Sequence, residues 1–261
     1  MSTNETLEGA LDAHEREADA LIRTIGSALK EAKKIKAAAA SGQLRELRNA
    51  MEAVLRSCDQ AGVKALEVRE GWTFDEQSYF VSGGYAKEVL GLAAVEGVQV
   101  YESDDRILSY PAIVQISASD SSVVIDKKKD RSVRPSVLVR TLKALQSKPP
   151  KFKAEAFLES LAVAYDLLVA KAAAHDESVQ KLTEVYAVFT MLPGSARDYT
   201  KQEFARDMYL LDQSGVVTAK DGRLLQLPAS ALTRGSAGIT TVSRSGQEKV
   251  YAGISFSQET R

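Results

Sequence analysis

The sequence predicts a helix-rich α+β protein in three parts. Residues 1–62 form an antiparallel, coiled-coil-like helical hairpin, residues 63–150 a small acidic β-containing unit ending in a basic helix, and residues 151–261 three helices followed by strands. Three observations carry this division. Apolar residues recur at alternating steps of three and four over the first sixty positions. β-Branched runs VQVYES, SYPAIVQIS and SSVVIDKK then take over. Pro149-Pro150 breaks the chain before helical spacing resumes.

In the first part Leu7, Leu11, His14, Ala18, Leu21, Ile25, Ala28, Ala32 and Ile35 define one stripe. Leu44, Leu47, Met51, Val54, Cys58 and Ala61 define a second, and Gly42 between them supplies the turn. The arms are unequal, about 54 and 28 Å at the helical rise, so about 25 Å of the first helix, including Leu7, Leu11, His14 and Leu21, is left without a partner inside the hairpin. Apolar surface left in water costs about 25 cal/mol per Å², and a protein partner or self-association through this helix is the expected remedy, beside packing on the chain's own body. His14 is a packing residue whose charging below its reference pKa of about 6.5 would strain the seam. Cys58 reads as a small apolar filler.

The middle part carries eleven acids against four bases. Val63–Arg69 alternates like a strand, GWTFDEQSYFVSGG reads as an aromatic loop, Tyr85–Ala94 as a helix, and Ser119–Ser122 as a hairpin turn. Ser82-Gly83-Gly84 reads as a loop and cap, since no lysine follows as a phosphate loop requires. Beyond it lies the most charged stretch, KKKDRSVRPSVLVRTLKALQSKPPKFK, ten bases against Asp130 in a chain of net charge −1. Such a block serves a polyanion or is neutralised by the chain's own acidic part. Pro135 starts a helix with Val137, Leu138, Leu142 and Leu145 on its apolar side. Lys127, Lys128, Lys129, Arg131, Arg134, Arg140 and Lys143 are the candidate phosphate contacts here.

In the third part Phe157–Leu168 and Val179–Phe189 read as amphipathic helices, with Asp176 capping the second. Thr200 and Glu203 have capping-box spacing ahead of Phe204, Met208 and Leu211. VVTAKDGRLLQLP then reads as a short strand, turn and strand. This order over about residues 154–228 resembles a winged-helix domain in layout, without a diagnostic motif. The resemblance implies that the third helix and hairpin meet DNA, through Arg197, Lys201, Gln202, Arg206, Lys220 and Arg223. Glu203, Asp207 and Asp212 leave that helix nearly neutral, which favours sequence-independent contact with the backbone over base reading. Ile239–Val242 and Val250–Phe256 form a final β-hairpin after a Ser230–Gly238 lead-in.

Two classes of function lose support from composition. One cysteine and two histidines, His14 and His175, leave no thiolate zinc site and no internal disulfide, and a metal would need carboxylates. Serines 236, 243, 245, 255 and 257 have no local histidine, so a serine hydrolase is not expected. No apolar run reaches the roughly 18 residues of a membrane span, and MSTNETLEGALDAHEREADA lacks the order of a secretory leader. The expectation is a cytoplasmic accessory subunit without a cofactor. It is non-catalytic, binds another protein, and binds double-stranded DNA through its backbone. The alternatives are a winged-helix transcriptional regulator and a magnesium-dependent nuclease. The latter rests on VVIDKK, which resembles the acid-x-lysine half-motif of metal-dependent nucleases, with Asp126 and Lys128 joined by Asp104 or Asp105 and by Glu67 or Glu70.

Overall fold

A computed structural model describes residues 6–150, 152–172, 178–228 and 238–258. Lys151, His175, Asp176, Ser236 and most of the Ser230–Gly238 lead-in lie outside these. The fold is α+β, with a long helical hairpin at the N-terminus and the strands in the later part. Its contacts form two units, Met1–Glu88 with Arg134–Ser136, and Val89–Val133 with Val137–Arg261. Among the described residues no helix is long and apolar enough to cross a membrane.

The first unit is built on α1, Leu7–Ser41, and α2, Leu44–Glu70, joined by Gly42 in the left-handed region at φ 71°. Thr6 caps α1 by accepting a hydrogen bond from the Gly9 amide. The Glu88 carboxylate accepts from the Leu7 and Glu8 amides at 2.9 and 3.0 Å, so an anion sits on the positive end of the helix.

Two expectations change here. Val63–Arg69 is the last part of α2, not a strand. The helix runs on through Gly62 to Glu70, and Ala61, Lys64 and Val68 continue the face turned to α1, so packing over many turns outweighs a short alternation. The arms are therefore about 52 and 40 Å, and the unmatched length of α1 shrinks to about 12 Å. Leu7 is buried there, while Leu11, His14 and Leu21 are half-buried. The Trp72–Phe74 stretch and α3, Glu76–Val81, meet this end through a run of rings from His14 to Trp72, Phe74, Tyr79, Phe80 and Tyr85. The seam keeps Leu21, Ala28, Ile35, Leu47, Val54 and Ala61 of the predicted one and shifts by one residue at positions between them. Leu21, Thr24, Ala28, Glu31, Ile35 and Ala38 face Leu47, Ala50, Val54, Ser57, Ala61 and Val68, whereas Ile25, Ala32, Leu44, Met51 and Cys58 are exposed. Thr24, Ala50 and Ser57 take places in the seam, and the bulkier Ile25 and Met51 beside them are left outside.

Helix α4, Gly84–Val95, leads into the second unit. Its first layer is an antiparallel meander of β1 Tyr101–Ser103, β2 Arg106–Ser109, β3 Ala112–Ser117, β4 Ser122–Ile125 and β5 Lys128–Asp130. The turn at Ser119–Ser122 stands as predicted, with Ser117 opposite Ser122. Helix α5, Pro135–Ser147, buries Leu138, Val139 and Leu142, with Pro135 at its first position.

The larger core follows. Helices α6 Ala154–Ala172, α7 Leu182–Phe189, the short α8 Ser195–Asp198 and α9 Lys201–Ser214 surround Leu158, Leu161, Tyr165, Phe204, Met208 and Phe256. The capping box on α9 is formed, Thr200 accepting from the Glu203 amide and Glu203 from the Thr200 amide. Three strands β6 Gln180–Lys181, β7 Leu224–Gln226 and β10 Gly253–Ser257 make a sheet in the order β6-β10-β7. Strands β8 Ile239–Val242 and β9 Glu248–Tyr251 pair with each other. The expected single strand Val250–Phe256 thus breaks at Ala252. Its second half leaves the hairpin because β10 finds partners in Gln180–Lys181 and Leu224–Gln226.

Candidate nucleic-acid interface

A cleft of about 1050 Å³ opens in the second unit. One wall is the β4–β5 hairpin. Ile125 pairs with Lys128, and the two residues between them, Asp126 and Lys127, have φ of 47° and 70°, the conformation of a two-residue hairpin turn whose twist matches its strands. Asp126 is pinned: its amide donates to the Ile113 carbonyl at 3.0 Å and its carboxylate accepts from the Ile113 amide at 2.9 Å. Burial pushes its carboxyl up to about 6, against that hydrogen bond. Lys128 projects from this wall, and Lys129 is held by Asp120.

The second wall is the end of α5. Gln146 donates to the Gln99 carbonyl at 2.6 Å and to the Ser109 hydroxyl at 2.8 Å, and accepts from the Gln99 amide, which fixes the chain entering Lys148 and Pro149-Pro150. The third wall is α8 with the first turns of α9. Arg197 is exposed and 3.8 Å from Asp198, a loose pair. Arg206 grips Asp207 at 2.8 Å, and the buried Asp207 also accepts from the Tyr199 hydroxyl at 2.9 Å. The side-chain nitrogen of Gln202 is buried against the cleft without a hydrogen-bond partner. Arg244 in the β8–β9 turn completes the rim, its guanidinium 5.7 Å from the Tyr110 ring. The lining holds six bases and four acids, so the excess of positive charge is modest.

Of the predicted contacts, Lys128, Lys129, Arg197 and Arg206 come together at this cleft, while Lys127 and Lys201 line a smaller one of about 220 Å³. Lys201 is shifted down by burial and by Lys127, which marks a spot short of anions. The others are dispersed. Arg134 belongs to the first unit, clamped by Glu8, Asp12 and Glu15. Lys143 pairs with Glu96 at 2.8 Å, Arg140 and Arg131 are exposed, and Arg223 is bound by Asp166 and Asp221 beside Lys220. Internal neutralisation therefore claims Lys129, Arg134, Lys143, Arg206 and Arg223. Arg244, Tyr110 and Gln99 were not among the sequence candidates: Arg244 lies some hundred positions beyond the basic block, and no local pattern links it to the cleft.

Both sides of α9 are covered. Phe204, Met208 and Leu211 enter the core, and Ala205 and Tyr209 are buried as well, with the Tyr209 hydroxyl accepting from the Arg244 amide. The face left over, with Gln202, Glu203, Arg206 and Leu210, is half-buried. The carboxylates of the nuclease alternative are also apart in role. Asp126 is bound to Ile113, Asp104 sits at φ 52° in the β1–β2 turn, and among the described residues no three His, Cys, Asp or Glu side chains gather where a metal could bind.

The fold and cleft define an α+β protein with a helical hairpin and a cleft rimmed by bases. Comparisons with protein families, curated proteins and solved structures find no match.

Proposed function

We propose that this protein is a non-catalytic interaction subunit whose second unit holds the phosphate backbone of double-stranded DNA without reading its sequence. The observation that carries this reading is the rim of Lys128, Lys148, Arg197 and Arg244: among the described residues none of the four has a carboxylate within 3.5 Å, and all surround one cleft. Cations without a close carboxylate are the groups that release counterions when they meet phosphates. The winged-helix-like layout supports it further. The order α6, β6, α7, α9, β7 and β10 keeps three helices and a sheet together, and the strand between the first two helices joins the strands after the third. The buried flanks of α9 favour backbone contact over a transcriptional regulator that reads bases. Among the described residues no gathered carboxylates support a magnesium nuclease.

The test is fluorescence anisotropy with a labelled duplex across 50 to 200 mM salt. Binding is expected to fall steeply with salt, and unlabelled duplexes of unrelated sequence compete equally. Changing Lys128, Lys148, Arg197 and Arg244 together to Ala lowers the slope of log K against log salt by about 0.9 for each phosphate no longer neutralised. Unchanged affinity and slope in the fourfold variant would remove the proposal, as would no binding by the wild type at the lowest salt.

A further inference from the structure

The hairpin keeps its larger apolar side chains in water. Ile22, Ile25 and Leu29 on α1 are 65, 51 and 55% exposed, and Met51 and Leu55 on α2 are 50 and 60% exposed, with Cys58 exposed beside them. Each follows a seam residue by one position: Leu21, Thr24 and Ala28 on α1, and Ala50, Val54 and Ser57 on α2. One position is a rotation of about 100°, and on two antiparallel helices the same rotation turns both stripes to the same side of the pair. The result is one continuous apolar face.

Charge says what covers it. His14 meets the Trp72 ring edge-on at 5.3 Å, just past the end of α2, and Glu17 lies against Gly71, so residue i of α1 sits beside about residue 87 − i of the second arm. With that alignment, the open end of the hairpin, residues 6–20 and 67–71, holds seven acids against two bases, a net −5. The closed end, residues 21–66, holds nine bases against four acids, a net +5. Arg134 reduces the open end to −4. The hairpin is thus nearly neutral as a whole and strongly polarised along its length. A surface of this kind is complementary to itself when reversed, which is the condition for an isologous two-fold contact.

We propose that the covering partner is a second copy of this chain, docked face to face with its hairpin running the opposite way, as an antiparallel four-helix dimer. The two-fold axis falls near the level of Gly26, where α1 changes from acidic to basic. It brings Asp19 of each copy to the level of Lys33 of the other, and Cys58 close to its own counterpart. An overlap about 40 Å long and two helices, about 20 Å, wide gives about 800 Å² per copy, the size of a stable interface. Ile22, Ile25, Leu29 and Cys58 form its centre, with Leu55 and Met51 flanking them, and charges at both ends fix direction more than affinity.

Light scattering on the full chain at tens of micromolar tests the dimer. The expected mass is twice that of the chain. Leu29→Asp with Leu55→Asp, both at exposed positions, is expected to give a monomer with an unchanged far-ultraviolet spectrum. A monomeric wild type overturns the proposal and assigns the face to a different protein, and a dimer that survives the double variant places the contact elsewhere. Direction is read by crosslinking in a Cys58→Ser background. Asp19→Cys and Lys33→Cys chains, mixed and treated with a short bis-maleimide, are expected to link to each other in preference to themselves. Preferential linking of each variant to itself would indicate a parallel pair and overturn the arrangement, and it needs no destabilised variant to do so.

Discussion

Phe204 is fully buried, with the rings of Phe157, Tyr186, Phe189 and Tyr199 around it, whereas Leu29 and Leu55 keep more than half of their surface in water. The same chain therefore treats apolar surface in two ways. In the second unit, helices and strands from residues 154 to 257 close on one core. In the hairpin, α1 and α2 meet along one narrow seam of small and aliphatic residues and leave Ile22, Ile25, Leu29, Met51 and Leu55 outward. A region that finishes its own burial derives stability from itself; a region that does not derives part of it from what it meets.

Truncation sharpens this contrast most. Phe204→Ala should cost about 3–5 kcal/mol, while Leu29→Ala in dilute protein should cost under about 1 kcal/mol, both measured by urea unfolding followed by circular dichroism. Equal costs would mean that the hairpin is packed as tightly as the core.

Arg134→Ala probes the hairpin's acidic end. With side chains of Arg134 and Glu8 partly shielded, the loss should be about 1–2 kcal/mol at pH 7, between the values for exposed and buried pairs. Burial acts to raise the Glu8 carboxyl, but hydrogen bonds from Arg134 and Ser136 outweigh it and hold the group below its ordinary value. A depressed carboxyl contributes stability above its unfolded pKa and loses it as pH falls through the folded one. The gap between variant and wild type should therefore narrow in urea midpoints taken from pH 5 down to pH 3.

The smallest effect, of opposite sign, is expected in the second unit. Asp126 is raised to about 6 by burial, so its ionisation costs stability as pH climbs from the ordinary carboxylate range through 6. Asp126→Asn keeps an oxygen for the Ile113 amide and suits a turn with positive φ. It should raise stability by about 1 kcal/mol at pH 7.5 and leave it unchanged at pH 4, as read from thermal unfolding at both values. A variant that is less stable at pH 7.5 would show that the charge is needed.

Local chemistry was readable along the chain. Thr200 and Glu203 announce a helix start in four residues, Pro135 another, and Gly42 the hairpin turn, because each acts on backbone groups within one helical turn. The basic block was equally plain, but its fate was not. Arg134 finds Glu8, Asp12 and Glu15 more than a hundred positions away, and Arg244 joins a cleft whose other rim begins at Lys128. The local shift of the hairpin seam escaped for a related reason. Spacing alone gives two adjacent stripes on each helix, and only the packing of α1 against α2 selects between them.

The amino-acid order by itself determined where several helices are capped, where charge accumulates, and that the chain mixes a long hairpin with strands, since these depend on propensities and caps acting over a few residues. Tertiary structure alone decided which cations are satisfied and which remain at the rim of a cleft, that α9 is covered on both sides, and which stripe of the hairpin faces water. Those outcomes depend on groups far apart in sequence meeting in space, and burial and ion pairing are properties of that meeting rather than of any residue taken alone.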